Sequence, residues 1–289
     1  MSAVTANATG NTGHAAPKGS GINFARMVKS EWIKVRTLRS TTVLLILTVV
    51  VMIGFGTLNA WGTTISAQFS GDAPPEAQAQ MAESGGLKAM AYSIPGSGVA
   101  FGQLLLGSLA VVLIASEYAT GMIRSTMVAV PRRVQALLAK VLVISVVAFI
   151  VGAIAALITY FVVQPILATE NLDFALSVEG MIASIINTGT FLALVAIMGM
   201  SIGALLRNSA GGIVTIVALL MVLPIVFQLI PNDFFQETMQ YLPSSAGSQL
   251  VAVQITGDAL TQFQGGLVMG AWALVLLIAA SIAIKARDV

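Results

Sequence analysis

The sequence predicts an all-α integral membrane protein in which six transmembrane helices follow an amphipathic helix at the membrane surface. Three observations predict it. Hydrophobic residues make up 57% of the chain and charged residues only 9%, against about 25% charged in a soluble domain. Six apolar runs, at about residues 41–61, 97–116, 141–163, 181–206, 209–230 and 265–284, contain no Asp, Glu, Lys, Arg or His. The charges are sorted by sign between alternate connecting segments.

Each run is close to the roughly 20 residues needed to cross the hydrocarbon core. Lipid offers the backbone no hydrogen-bond partners, so each is expected to be a helix. Thirteen of the 14 Lys and Arg residues lie on one side: Lys18, Arg26, Lys29, Lys34, Arg36, Arg39, Arg124, Arg132, Arg133, Lys140, Arg207, Lys285 and Arg287. Only Lys88 lies on the other. Nine acidic residues (Asp72, Glu76, Glu83, Glu170, Asp173, Glu179, Asp233, Glu237 and Asp258) take the opposite side, leaving Glu31, Glu117 and Asp288 with the basic residues. The positive-inside rule therefore predicts cytoplasmic termini in a multi-pass membrane protein. Residues 1–21, small and polar, are expected to be a disordered cytoplasmic tail, and 22–289 one transmembrane domain.

Cysteine is absent and the single histidine, His14, lies in the tail. Thiolate, iron–sulfur and His-based chemistry have little to work with, and no metal site is expected.

Two segments outside the apolar runs stand out. In Ile22–Arg39, Phe24, Met27, Val28, Trp32, Val35 and Leu38 fall on one helical arc, and Arg26, Lys29, Ser30, Arg36 and Thr37 on the opposite one. Ile33, Glu31 and Arg39 break the pattern. Such a helix is expected to lie in the headgroup layer, in contact with membrane lipid. The second segment, Glu117–Lys140, is expected to be an inner loop in which Gly121 and Pro131 punctuate a short helical stretch. Its apolar residues Ile123, Met127, Val128 and Val130 suit protein contact better than plain solvation.

These residues carry a resemblance. Ser30-Glu31-Trp32-x-Lys34-x-Arg36-x-x-Arg39-Ser40, ahead of a first span, is similar to the start of many ABC-2-type transporter permeases. Glu117-Tyr118-x-x-Gly121-x-Ile123-Arg124, then Pro131-Arg132-Arg133 and Lys140, resembles their loop between spans two and three, with Met122 where the family usually has Thr. Leu205-Leu206-Arg207-Asn208-Ser209-Ala210-Gly211 resembles their turn between spans four and five.

The resemblance implies an ABC-2-type permease architecture in the bacterial inner (cytoplasmic) membrane: a membrane half that pairs with a second copy or a paralogue and is driven by a separate cytoplasmic ABC ATPase. It implies that Glu31, Trp32, Lys34, Arg36 and Arg39 belong to an interface helix. It further implies an ATPase-coupling loop comprising Glu117, Tyr118, Gly121, Arg124, Pro131, Arg132, Arg133 and Lys140, and short re-entrant helices within Pro231–Gln264.

The chain has no G-x-x-x-x-G-K-[ST] sequence, so ATP and Mg are expected on the partner and no cofactor or catalytic residue in this chain. No nucleic-acid partner is expected. Apolar runs without acidic residues or histidine disfavour an ion-coupled carrier, the alternative reading beside a non-transporting scaffold or immunity protein. Asn187, Thr188 and Thr190 in the fourth run are candidates for a substrate path, although interhelical hydrogen bonds explain them more simply. An uncharged set of spans suits an amphipathic drug, peptide or lipid. Gly98-x-x-x-Gly102, Gly199-x-x-x-Gly203 and Gly266-x-x-x-Gly270 allow close helix packing and are weak pointers to a dimer face.

Overall fold

The structure, a computed structural model, describes residues 23–70, 76, 86–122, 133–253 and 259–286. Among them there are helices and no strands. Six helical stretches are long and apolar enough to cross a membrane.

Helix α1 (Phe24–Thr37) ends where Leu38 turns extended (φ −77°, ψ 107°), and α2 (Arg39–Phe69) starts at once. After the first connection come α3 (Gly86–Ser97) and α4 (Val99–Ala119), joined through a helical Gly98. Next are α5 (Arg133–Leu167) and α6 (Met181–Leu206). Helix α7 (Ser209–Val217) widens into a π-helical turn at Ala218–Val222 and continues as α8 (Leu223–Leu229). Two short helices follow, α9 (Asp233–Met239) and α10 (Pro243–Val251), and α11 (Gln262–Ala286) closes the bundle.

These helices overrun the apolar runs of the sequence. Helix α5 has 35 residues, about 52 Å at the usual rise, where about 30 Å would span the hydrocarbon. Apolar composition marks the part that lipid can cover, while the helical hydrogen-bond ladder continues into polar sequence. As a result Glu117 and Lys140, expected at the two ends of a loop, lie inside α4 and α5.

Burial places α4 and α6 at the centre. In the most apolar window of each spanning stretch, 61% of α3–α4 and 67% of α6 is buried, against 22% of α2, 17% of α7–α8 and 22% of α11. Helix α6 packs against α4, α5, α7, α10 and α11.

Two of the small-residue motifs explain that packing. A Cβ on Gly199 would stand 2.5 Å from the carbonyl oxygen of Gly107 on α4, and one on Gly203 would stand 2.6 Å from Ile114. One on Gly98 would meet Met52 of α2 at 2.8 Å. Both motifs are therefore spent on contacts within one chain, where the sequence left a dimer face open. At Gly270 nothing lies within 4 Å.

At the end of the bundle rich in acidic residues, α9 and α10 fold back into the helices. The indole N–H of Trp272 donates to the Tyr241 carbonyl at 2.9 Å. Trp272 is ten residues into α11, so the α9–α10 turn sits about 15 Å along that helix from its start. Gly247 of α10 packs directly against the Phe191 ring, where a Cβ would come within 1.7 Å of a ring carbon. The connection after α5 is also folded. Tyr160 donates to the Phe174 carbonyl at 2.7 Å, Gln164 accepts from the Phe174 amide at 3.0 Å, and Leu172 and Phe174 are buried.

Candidate functional site at the basic end

At the opposite end, four charged side chains from three helices meet. Helix α1 lies against the start of α5 with Met27 packed on Ala136 and Ala139. The face it turns inward carries Met27, Val28, Glu31, Lys34 and Val35. The spacing of these residues, i, i+1, i+4, i+7 and i+8, is that of a single helical stripe. Phe24, Trp32, Ile33 and Leu38 remain exposed. The apolar arc is thus rotated from the one expected, because Glu31, which breaks the apolar pattern, finds its partners in the protein.

The four groups alternate in sign. Lys140 Nζ donates to Glu117 Oε1 at 2.5 Å and to Glu31 Oε1 at 2.9 Å. Lys34 Nζ donates to Glu31 Oε1 at 3.0 Å and to Glu117 Oε1 at 3.1 Å. Glu117 and Lys140 are buried, and only Lys34 is substantially exposed, with 37% of its side chain accessible. Two carboxylates and two ammonium groups leave no net charge, which is the condition under which charges are tolerated in a low-dielectric interior. Burial alone would lower the pKa of Lys34. The carboxylates of Glu117 and Glu31 outweigh burial and raise it above the usual lysine value of 10.5.

The chain around Glu117 is built to present it. Helix α4 ends two residues later, its cap amide at Thr120 bonded back to the Ser116 carbonyl. Gly121 then takes a left-handed φ of 72°, the conformation that terminates a helix and that favours glycine. Tyr118 lies under the Arg207 guanidinium, 5.1 Å from ring centroid to the carbon. Arg207 itself caps α6 with φ 53°, and its amide bonds to the Gly203 carbonyl. Asn208 Oδ1 then accepts from the Gly211 amide at 2.9 Å and starts α7.

The described parts of three separate sequence stretches therefore converge here: 30–40, 117–122 with 133–140, and 205–211. The structure joins Glu31, Lys34, Glu117 and Lys140 directly and adds the Tyr118–Arg207 contact. Trp32, Arg36 and Arg39 are exposed outside the cluster, and Arg133 is the first residue of α5. Arg124, Pro131 and Arg132 lie outside the described residues, as does the short helical stretch expected between Gly121 and Pro131.

Asn187, Thr188 and Thr190 lie elsewhere, in the first half of α6 toward the acidic end. Asn187 Nδ2 donates to the Leu250 carbonyl at 3.0 Å, and Ser184 Oγ to the Val251 carbonyl at 2.5 Å. These two bonds fasten α10 to α6. Thr188 is fully buried and bonds its own helix at the Ser184 carbonyl, and half-buried Thr190 bonds the Ile186 carbonyl.

Sequence reasoning placed the four clustered charges on motifs but missed their mutual contact. The available signal was that Glu31 interrupts an apolar arc while Glu117 and Lys140 each abut an apolar run.

In comparisons with protein-family models and with curated proteins, the sequence matches none.

Proposed function

We propose that the chain is the membrane permease subunit of an ATP-driven ABC transporter of the ABC-2 type. It exports an amphipathic drug, peptide or lipid and is powered by a separate cytoplasmic ATPase subunit. The observation that carries this reading is the meeting of Glu31 and Lys34 with Glu117 and Lys140. These residues were singled out by resemblance from two stretches far apart in sequence, and the fold brings them within hydrogen-bonding distance.

In this reading the basic end faces the cytoplasm, in keeping with the positive-inside rule. Residues 117–140 form the coupling segment, with Glu117 and Lys140 at its two ends. A push on the segment from the ATPase reaches α4 through Glu117 and α5 through Lys140. Helix α1 moves with both, because Glu31 and Lys34 hold it to them. The ATPase supplies ATP and Mg, and a second permease copy or a paralogue completes the pathway.

The test is co-expression of the tagged chain with a cytoplasmic ABC ATPase, sought among those encoded beside it. The reading predicts stable co-purification and ATP turnover only in the complex. Specific ATP hydrolysis by the purified single chain, or transport in vesicles without any ATPase, overturns it.

A further inference from the structure

A cavity of about 250 Å³ lies between α1 and the basic-end portions of α4, α5 and α6. Leu113, Val143, Ile144 and Met200 wall it, and Leu38 and Met122, both nearly half exposed, line it where it meets the surface. The four-charge cluster forms its polar side.

Size narrows the occupant. A dry cavity of about 150 Å³ takes benzene, while sites for drug-sized ligands begin at about 300 Å³. This cavity is therefore too small for a drug-sized molecule and large enough for part of a single alkyl chain, which its apolar walls suit. Charge narrows the occupant further. Lys34 gives two hydrogens of its ammonium group to Glu31 and Glu117, and an ammonium has a third. Its side chain lines the cavity and is 37% exposed. Exposed Arg39 follows Leu38 directly. Glu31 and Glu117 also line the cavity, but their side chains are only 14% and 8% exposed and the unpartnered Glu117 Oε2 is buried, so the accessible charge at the rim is the Lys34 ammonium.

We propose that this cavity binds the alkyl chain of an anionic amphiphile whose headgroup oxygen accepts the third hydrogen of Lys34 Nζ. The bound chain braces α1 against α4, α5 and α6, since those helices supply opposite walls. A cationic headgroup would meet Lys34 and Arg39 instead and is rejected. The proposal is independent of the transport reading.

The test uses the purified full chain in an uncharged maltoside detergent. Decyl phosphate should raise its melting temperature in a concentration-dependent way, decanol much less, and decyltrimethylammonium not at all. Ile144→Trp, which fills the cavity, should abolish the response. Lys34→Gln should weaken apparent binding about tenfold or more, as expected for the loss of one charge-assisted hydrogen bond. Should Ile144→Trp fail to fold, Leu38→Trp blocks the mouth from its exposed side.

A second arm compares nanodiscs of phosphatidylglycerol and phosphatidylcholine. Stabilisation by phosphatidylglycerol that is lost in the blocked variant identifies a bilayer lipid as the source. Response to decyl phosphate alone identifies a free amphiphile. No response to decyl phosphate in the wild type, or an equal response in the wild type and the blocked variant, overturns the proposal.

Discussion

Lys140 Nζ lies 2.5 Å from Glu117 Oε1, and the two residues belong to consecutive spanning helices, near the C-terminus of one and about two turns into the next. The pair joins the roots of the segment between them, so α4 and α5 are tied by charge where they enter it. Breaking a buried pair by removing one partner costs about 3–5 kcal/mol, whereas replacing both with apolar groups is often neutral. Glu117→Leu alone and Lys140→Met alone should therefore each lower the melting temperature of the purified chain strongly. The double variant should recover a substantial part of the loss, a coupling that a double-mutant cycle reads directly. Additive losses would show that the pair is not an energetic unit.

Alkaline pH should loosen α1. The folded-state pKa of Lys34 is raised above 10.5, so its contribution to stability is fully present below that value and is lost as pH rises through the folded pKa. Proteolysis within α1 should stay flat across the neutral range and increase only above pH 10.5. In Lys34→Gln the protection should be weaker at neutral pH and the Lys34-dependent alkaline increase should vanish. An unchanged alkaline profile in that variant would remove Lys34 from the account.

The α4–α6 contact predicts a contrast between glycines. Gly199→Ala places a methyl group 2.5 Å from the Gly107 carbonyl oxygen and should destabilise by about 1–3 kcal/mol through overpacking. Gly270→Ala meets nothing within 4 Å and should be neutral or slightly stabilising. Thermal melts of the two variants decide it, and equal effects would mean that α4 and α6 do not approach this closely.

The segregation of charge predicts orientation. Ser70→Cys and Glu237→Cys should react with a membrane-impermeant thiol reagent added outside intact cells, and Lys285→Cys should not. Labelling of Lys285→Cys would reverse the assignment of the basic end to the cytoplasm.

Much of the fold was legible because lipid imposes it. A run of apolar residues without charge can only be a helix there, and six runs gave six spanning stretches. The ends were less legible, since hydrogen bonds within a helix do not stop at the hydrocarbon boundary. Helix α5 begins at Arg133 rather than near Val141. The orientation of α1 was legible in part. Its apolar arc includes Met27 and Val35, but the contact that fixes it runs through Glu31 and Lys34. That contact depends on how α1 folds back on residues 83 to 109 positions away. Periodicity is a local property and carries no such information. The small-residue motifs show the same limit: spacing says that a close approach is possible, and only the fold says that α2 and α4 supply the surfaces. Asn187 and Ser184 likewise read as polar groups in a span, while their partners lie on a short helix more than sixty residues later.

The central claim is that Glu117 and Lys140 transmit the action of the ATPase into α4 and α5. The direct measurement is ATP-driven efflux, alongside ATP hydrolysis, from vesicles holding the assembled complex with wild-type chain, Glu117→Gln or Lys88→Ala. The account predicts that Lys88→Ala matches wild type in both. Glu117→Gln should insert and bind the ATPase, yet lose most efflux per ATP hydrolysed. Wild-type efflux per ATP in Glu117→Gln would contradict it.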